Sequence, residues 1–108
     1  MNTENILSLL GLCARAGKLS KGTHATEFAI SSKKARLVVA SEDMSEKTVK
    51  ELKFTADKHN LPVRTLEGIT AETLGQRVGK KCGIVAVNDE GFAKALLSKI
   101  EGGNANDR

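Results

Sequence analysis

Ala35-Arg36-Leu37-Val38-Val39-Ala40-Ser41-Glu42-Asp43 is the stretch that decides the fold of this 108-residue chain. Its apolar centre is too short for a helix, is rich in β-branched residues and shows no polar alternation. It therefore reads as a buried strand over about residues 36 to 40. The same signature returns at Gly83-Ile84-Val85-Ala86-Val87, and a shorter one at residues 63 to 66.

Helical spacing fills the intervals. Upstream, Ile6, Leu9, Leu10 and Cys13 predict a helix over about residues 4 to 16, stopped by Gly17. Residues 18 to 22 form a loop with a short strand at Leu19, and a second helix runs from Thr23 into the Ser31-Ser32-Lys33-Lys34 stretch. Downstream, Ser45 caps a helix to about His59, with Val49, Leu52 and Ala56 inward, and Asn60 and Pro62 end it. Thr70 caps a short helix in which Ile69 and Leu74 have staple spacing. Asn88 or Asp89 caps the last helix, which turns Phe92, Leu96, Leu97 and Ile100 inward. This alternation implies an α/β fold, a three-layer α/β/α sandwich with a mixed sheet of about four strands. Residues 1 to 101 make one domain, and the polar residues 102 to 108 are expected to be a disordered tail.

Composition narrows the function. Cys13 and Cys82 lie far apart and outside any CxxC, so neither a disulfide framework nor a zinc site is signalled. The apolar run at residues 6 to 12 is no signal peptide and is too short to span a bilayer, so a cytoplasmic protein, monomeric and without a membrane partner, is expected. His24 and His59 have no partner at ligand spacing, so no metal site is expected. Gly75, Gly79 and Lys80 suggest a phosphate loop, but the glycines are one residue too close and Lys81 replaces the required Ser or Thr. Glu42 and Asp43 sit at a strand end, where α/β proteins place catalytic groups; with no nucleophile or base nearby, they read as a solvated loop leading into the Ser45 cap. No catalytic residue and no cofactor are implied.

Seventeen Lys and Arg against thirteen Asp and Glu give a net charge of +4, compatible with a polyanionic partner. Their placement says more. Arg15, Lys18, Lys21, Lys33, Lys34 and Arg36 face a single acid, Glu27, in that interval, and Arg77, Lys80 and Lys81 form a second cluster. Lysines in a Gly-bounded loop that opens a helix suit phosphate oxygens, although such clusters are also common as solvated faces. With no Trp or Tyr and three Phe, stacking platforms for single strands are lacking, so recognition is expected to rest on shape and backbone.

The run Ala14-Arg15-Ala16-Gly17-Lys18-Leu19-Ser20-Lys21-Gly22-Thr23, followed by residues 35 to 43, resembles the kink-turn-binding ribosomal protein family and in particular its small bacterial branch. Leu74-Gly75 with Gly79, and Asp89-Glu90-Gly91-Phe92-Ala93, extend the likeness over about residues 4 to 100. The resemblance implies the same sandwich, no enzymatic activity, and structured RNA as partner, whether ribosomal RNA or another kinked duplex, with ribosomal proteins as possible neighbours. It implies RNA contacts at Lys18, Lys21, Gly22, Thr23, His24, Ala25 and Phe28, and at Lys80, Lys81, Cys82 and Gly83.

Typical kink-turn binders carry Asn-Glu where this chain has His24-Ala25, and Lys where it has Phe28. The side chains that read sheared G·A pairs and a phosphate are thus partly replaced. The second helix could bury a stripe of Ala25, Phe28 and Ala29, but the family register, the one expected, buries Thr26, Ala29 and Ile30 and exposes Phe28. An exposed Phe28 leaves an alternative function, a protein-interaction module on the same scaffold with a degenerate RNA site.

Overall fold

The structure, a computed structural model, describes residues 2–102. The chain alternates as α1 (Thr3–Arg15), β1 (Leu19–Lys21), α2 (Thr23–Ser31), β2 (Leu37–Ser41), α3 (Glu46–Asp57), β3 (Val63–Leu66), α4 (Ala71–Val78), β4 (Ile84–Val87) and α5 (Glu90–Glu101). Of the expected tail, Gly102 caps α5 through its N–H on the Ser98 carbonyl (2.7 Å), and the rest lies outside the described residues.

The four strands form one mixed sheet in the order β1-β4-β2-β3. β4 is antiparallel to both β1 and β2, and β2 is parallel to β3. Strand β2 carries its apolar run because both of its faces are covered. Leu37 and Val39 join a core with α1, α4 and α5, built around Ile6, Leu10, Leu74 and Leu96. Val38 and Ala40 join the opposite core, with Ala29 and Ile30 of α2 and Leu52 and Ala56 of α3. Val85 and Val87 of β4 face the first core, Ile84 and Ala86 the second. The expected three-layer α/β/α sandwich with a four-stranded mixed sheet is the architecture found.

Element boundaries follow local hydrogen bonding. Strand β2 ends one residue later than expected, because Ser41 is extended, 1% exposed, and donates its N–H to the Gly83 carbonyl at 2.8 Å. Helix α3 stops at Asp57, short of His59, in a turn that places Asn60 at φ 54°. Helix α1 closes in a Schellman motif. Gly17 sits at φ 73°, donates to the Ala14 carbonyl (3.0 Å), and Lys18 donates to the Cys13 carbonyl (3.0 Å). Of the two expected caps of α5, Asp89 is the one used, accepting from the Phe92 N–H at 2.9 Å, while Asn88 donates to Ser20 Oγ at 2.8 Å.

Candidate nucleic-acid interface

The site is built where β1 ends and β4 begins. Lys21 pairs with Val85, and the Gly22 N–H donates to the Ile84 carbonyl at 2.8 Å. Gly22 then turns the chain at φ 99°, open to glycine but not to other residues, and α2 starts immediately.

The start of α2 differs from every other helix start. Asn2, Ser45, Thr70 and Asp89 cap α1, α3, α4 and α5 with side-chain oxygens, and each of those helices has an acid in its first turn. Helix α2 has neither. Its first N–H groups and its positive dipole end are left without a side-chain partner, a favourable setting for an anion.

Beside this end lies the segment at residues 79–83. Helix α4 closes on Gly79 at φ 86°, and both Gly79 and Lys80 donate to the Gly75 carbonyl, at 2.9 and 3.2 Å. A Cβ on Gly75 would stand 3.0 Å from the Lys80 carbonyl oxygen and 3.1 Å from Lys81 Cα. The missing side chain lets the loop fold down onto the helix. Gly83 is confined in the same way, since a Cβ there would run into Met44 Sδ. Between them Cys82 is buried, which raises its thiol pKa, while Lys80, Lys21 and the Gly22 N–H act against that rise. Lys21 and Gly22 are near enough to act on this thiol, so the two segments meet.

Of the expected contact residues, Thr23, His24, Phe28, Lys80 and Lys81 are exposed, Lys21, Gly22, Ala25 and Gly83 are half-buried, and Cys82 is buried. Helix α2 takes the expected register, with Thr26, Ala29 and Ile30 buried and Phe28 66% exposed. Lys18 is exposed but stands at the far end of β1, a three-residue strand, roughly 10 Å from Lys21. Arg77, counted with Lys80 and Lys81 from sequence, is instead engaged by Glu4, with Nη2 at 2.6 Å from both carboxylate oxygens, a pairing that holds the Glu4 carboxyl below its ordinary pKa. Its pairing joins α1 to α4 rather than adding a free cation to the loop.

Two features were not anticipated. Glu42 and Asp43, read as a solvated loop, tie the end of β2 to the segment that opens α4: Glu42 accepts from the Gly68 N–H (2.8 Å), and Asp43 from the Ser41 hydroxyl (2.6 Å) and the Ala71 N–H (2.9 Å). The Ser41 hydroxyl and then the Ala71 N–H hold the Asp43 carboxyl below the usual carboxylate range. The other is an open groove of about 710 Å³ along α4 and its loop, lined by Glu72, Gly75, Gln76, Gly79, Lys80 and Lys81. The visible signal for it was glycine inside a helical pattern at Gly75. Among the described residues there is no group of three or more His, Cys, Asp and Glu placed to hold a metal, and no helix long and apolar enough to cross a membrane.

A family model, that of the ribosomal protein L7Ae/L30e/S12e/Gadd45 family, matches residues 4–97. The chain is 34% identical to the RNA-binding protein YlxQ of Enterococcus faecium over 101 residues, 94% of this chain and 96% of that protein. It is also 34% identical to the RNA-binding protein YlxQ of Bacillus subtilis (strain 168), over 86% of this chain and 92% of that protein. Among solved structures, a protein of unknown function from Bacillus halodurans C superposes with a TM-score of 0.82 at 32% identity, covering 90% of this chain and 97% of that one. The 15.5kD RNA binding protein of Giardia lamblia has a TM-score of 0.76 at 15% identity, over 92% and 87% of the two chains, a likeness of fold.

Proposed function

The chain belongs to the ribosomal protein L7Ae/L30e/S12e/Gadd45 family, and from that premise we propose that it is a non-catalytic cytoplasmic RNA-binding protein that recognises structured, kink-turn-like RNA of a ribonucleoprotein. The observation that carries this reading is the junction of the uncapped α2 N-terminus with the Lys80-Lys81 loop, two positive features contributed by segments about sixty residues apart and held together by the β1–β4 pairing. Lys21, Lys80 and Lys81 supply charge for the backbone, and the bare N–H groups at residues 23–25 supply donors for one phosphate. His24, whose Nδ1 is 3.9 Å from Glu27 Oε1, stands fully in solvent at the start of the helix, where an imidazole can donate or accept one hydrogen bond.

A kink-turn RNA and a plain duplex titrated at several salt concentrations test the proposal. Tighter binding of the kinked RNA, at every salt, is the expected result; equal affinities with identical salt slopes would remove structure-specific recognition. The Lys80→Ala, Lys81→Ala double variant should bind more weakly and lower the salt slope by about 0.9 for each phosphate that is no longer neutralised.

The 66% exposure of Phe28 favours one second reading, a protein-docking face on α2. Phe28→Lys separates the two: it strengthens RNA binding if Phe28 lies at an RNA surface, and abolishes partner capture with RNA binding unchanged if Phe28 is a docking anchor.

A further inference from the structure

Most of the cations gathered between positions 15 and 36 do not lie with the loop at residues 80–83. Leu19 and Leu37 both pair with Val87, the last residue of β4. The Lys18 carbonyl accepts from the Asn88 N–H at 2.8 Å, and the Arg36 N–H donates to the Val87 carbonyl at 2.7 Å. Lys18 and Arg36 therefore flank the end of β4 opposite to Gly83. Helix α2 runs back to it and delivers Lys33 and Lys34, α3 delivers Lys58 and His59, and α5 starts there and adds Lys94. Two adjoining grooves, about 280 and 310 Å³, share Ala35, Arg36, His59 and Leu61; Lys33 lines one and Lys94 the other.

The acids of this pole are few and partly engaged. Glu90 lies 3.7 Å from Arg36, Asp89 is used as the cap of α5, and Asp57 ends α3. Lys33 is held in an unusual place. It occupies the left-handed position that closes α2, at φ 64°, donating to the Ile30 carbonyl at 3.0 Å while Lys34 donates to the Ala29 carbonyl at 2.9 Å. Glycine or asparagine is the ordinary residue there, so a lysine is kept against its conformational preference. Its carbonyl in turn receives Arg36 Nη1 at 3.0 Å. Compensation of helix dipoles does not account for these lysines, because Lys33 and Lys34 lie past the cap and neither α2 nor α3 has a basic residue in its last turn.

We propose that this pole is a second RNA-binding surface that takes the sugar-phosphate backbone of a duplex segment distinct from the one at the α2 N-terminus, so that one copy of the protein bridges two RNA segments. The proposal rests on the RNA-binding reading above and extends it. The two poles lie at opposite ends of β4 and of α2, roughly 13 Å apart along either element. The chemistry on offer is mobile lysine ammonium groups with one arginine and one imidazole, suited to phosphate oxygens without sequence readout.

The test uses the full chain saturated with a kink-turn RNA, to which a fluorescent RNA duplex of unrelated sequence is added. A ternary complex is expected, weakening steeply with salt. The variant Lys33→Glu, Lys34→Glu, Lys94→Glu is expected to lose about tenfold or more in duplex affinity at low salt while keeping kink-turn affinity. Its neutral counterpart, with glutamine at the three positions, should lose less, and matching thermal melts establish that both variants are folded. Failure of the ternary complex to form, or duplex binding unchanged by the glutamates, overturns the proposal. If the kinked RNA is bound no better than duplex, the first reading fails on its own, and duplex binding by the wild type and the glutamate variant still decides this one.

Discussion

Three residues at the start of α2 set how this chain differs from typical kink-turn binders. His24 and Phe28 stand in solvent and Ala25 is half-covered, so all three can be replaced without disturbing the core formed by Thr26, Ala29 and Ile30. Ala25 offers no hydrogen bond and Phe28 no charge, where a carboxylate and an ammonium serve in the family. The variant His24→Asn, Ala25→Glu, Phe28→Lys should therefore gain about tenfold in preference for kink-turn RNA over plain duplex, roughly 1.4 kcal/mol. Competition titrations read this directly, and an unchanged or reduced preference would mean that this helix does not meet the RNA in the family's orientation. The departures themselves were legible in sequence, because the residues before and after them align with the family run. Which of them face solvent came from the family register rather than from periodicity, which also allowed a buried stripe of Ala25, Phe28 and Ala29; contact of Ile30 with the second core bears out the register expected.

At the scale of elements, strands and caps were legible because each is specified locally: β-branched apolar runs for β2 and β4, Ser45 and Thr70 ahead of their helices, Gly17 after α1. Contacts between elements were not. Arg77 meets Glu4 across 73 positions, and Glu42 and Asp43 reach residues 68 and 71, distances over which sequence carries no marker. These ties and Gly75 determine where the basic loop sits. Alanine at Gly75 would add about 1 kcal/mol of helix propensity, but its Cβ would press on backbone at 3.0 Å, and overpacking of that kind costs about 1–3 kcal/mol. Gly75→Ala should therefore lower stability by about 1 kcal/mol and weaken RNA binding several-fold, measured by denaturant unfolding and by titration; a more stable protein with unaltered affinity would show that the loop is not seated by this glycine. Asp43 makes a pH-dependent tie. Because its folded pKa lies below the unfolded value of about 3.9, its contribution is present above that value and is lost as pH falls through the folded one. Asp43→Ala should lower Tm at neutral pH by a few degrees and make the acid limb of the pH–Tm curve shallower, whereas an unchanged curve would contradict the tie.

For the molecule as a whole, the pairing of β4 with β1 and β2 is what divides the local basic stretches between the two ends of β4. Sequence placed the cations together by proximity along the chain; antiparallel pairing of β1 with β4 keeps Lys21 beside the loop at residues 80–83 and Lys18 at the other end, where α2 returns Lys33 and Lys34 and the β2–β4 pairing sets Arg36. Charge counting could not anticipate that division, since it depends on strand register. On the function proposed above, kinked RNA binds at the pole made by the start of α2 and the loop after α4. Amide chemical shifts of the isotope-labelled protein, followed during titration with a kink-turn RNA, test it most directly. The first and largest changes are expected at residues 21–28 and 80–83, before any at residues 33, 34 and 94. Changes confined to those latter residues, or spread evenly over all exposed lysines, would contradict it.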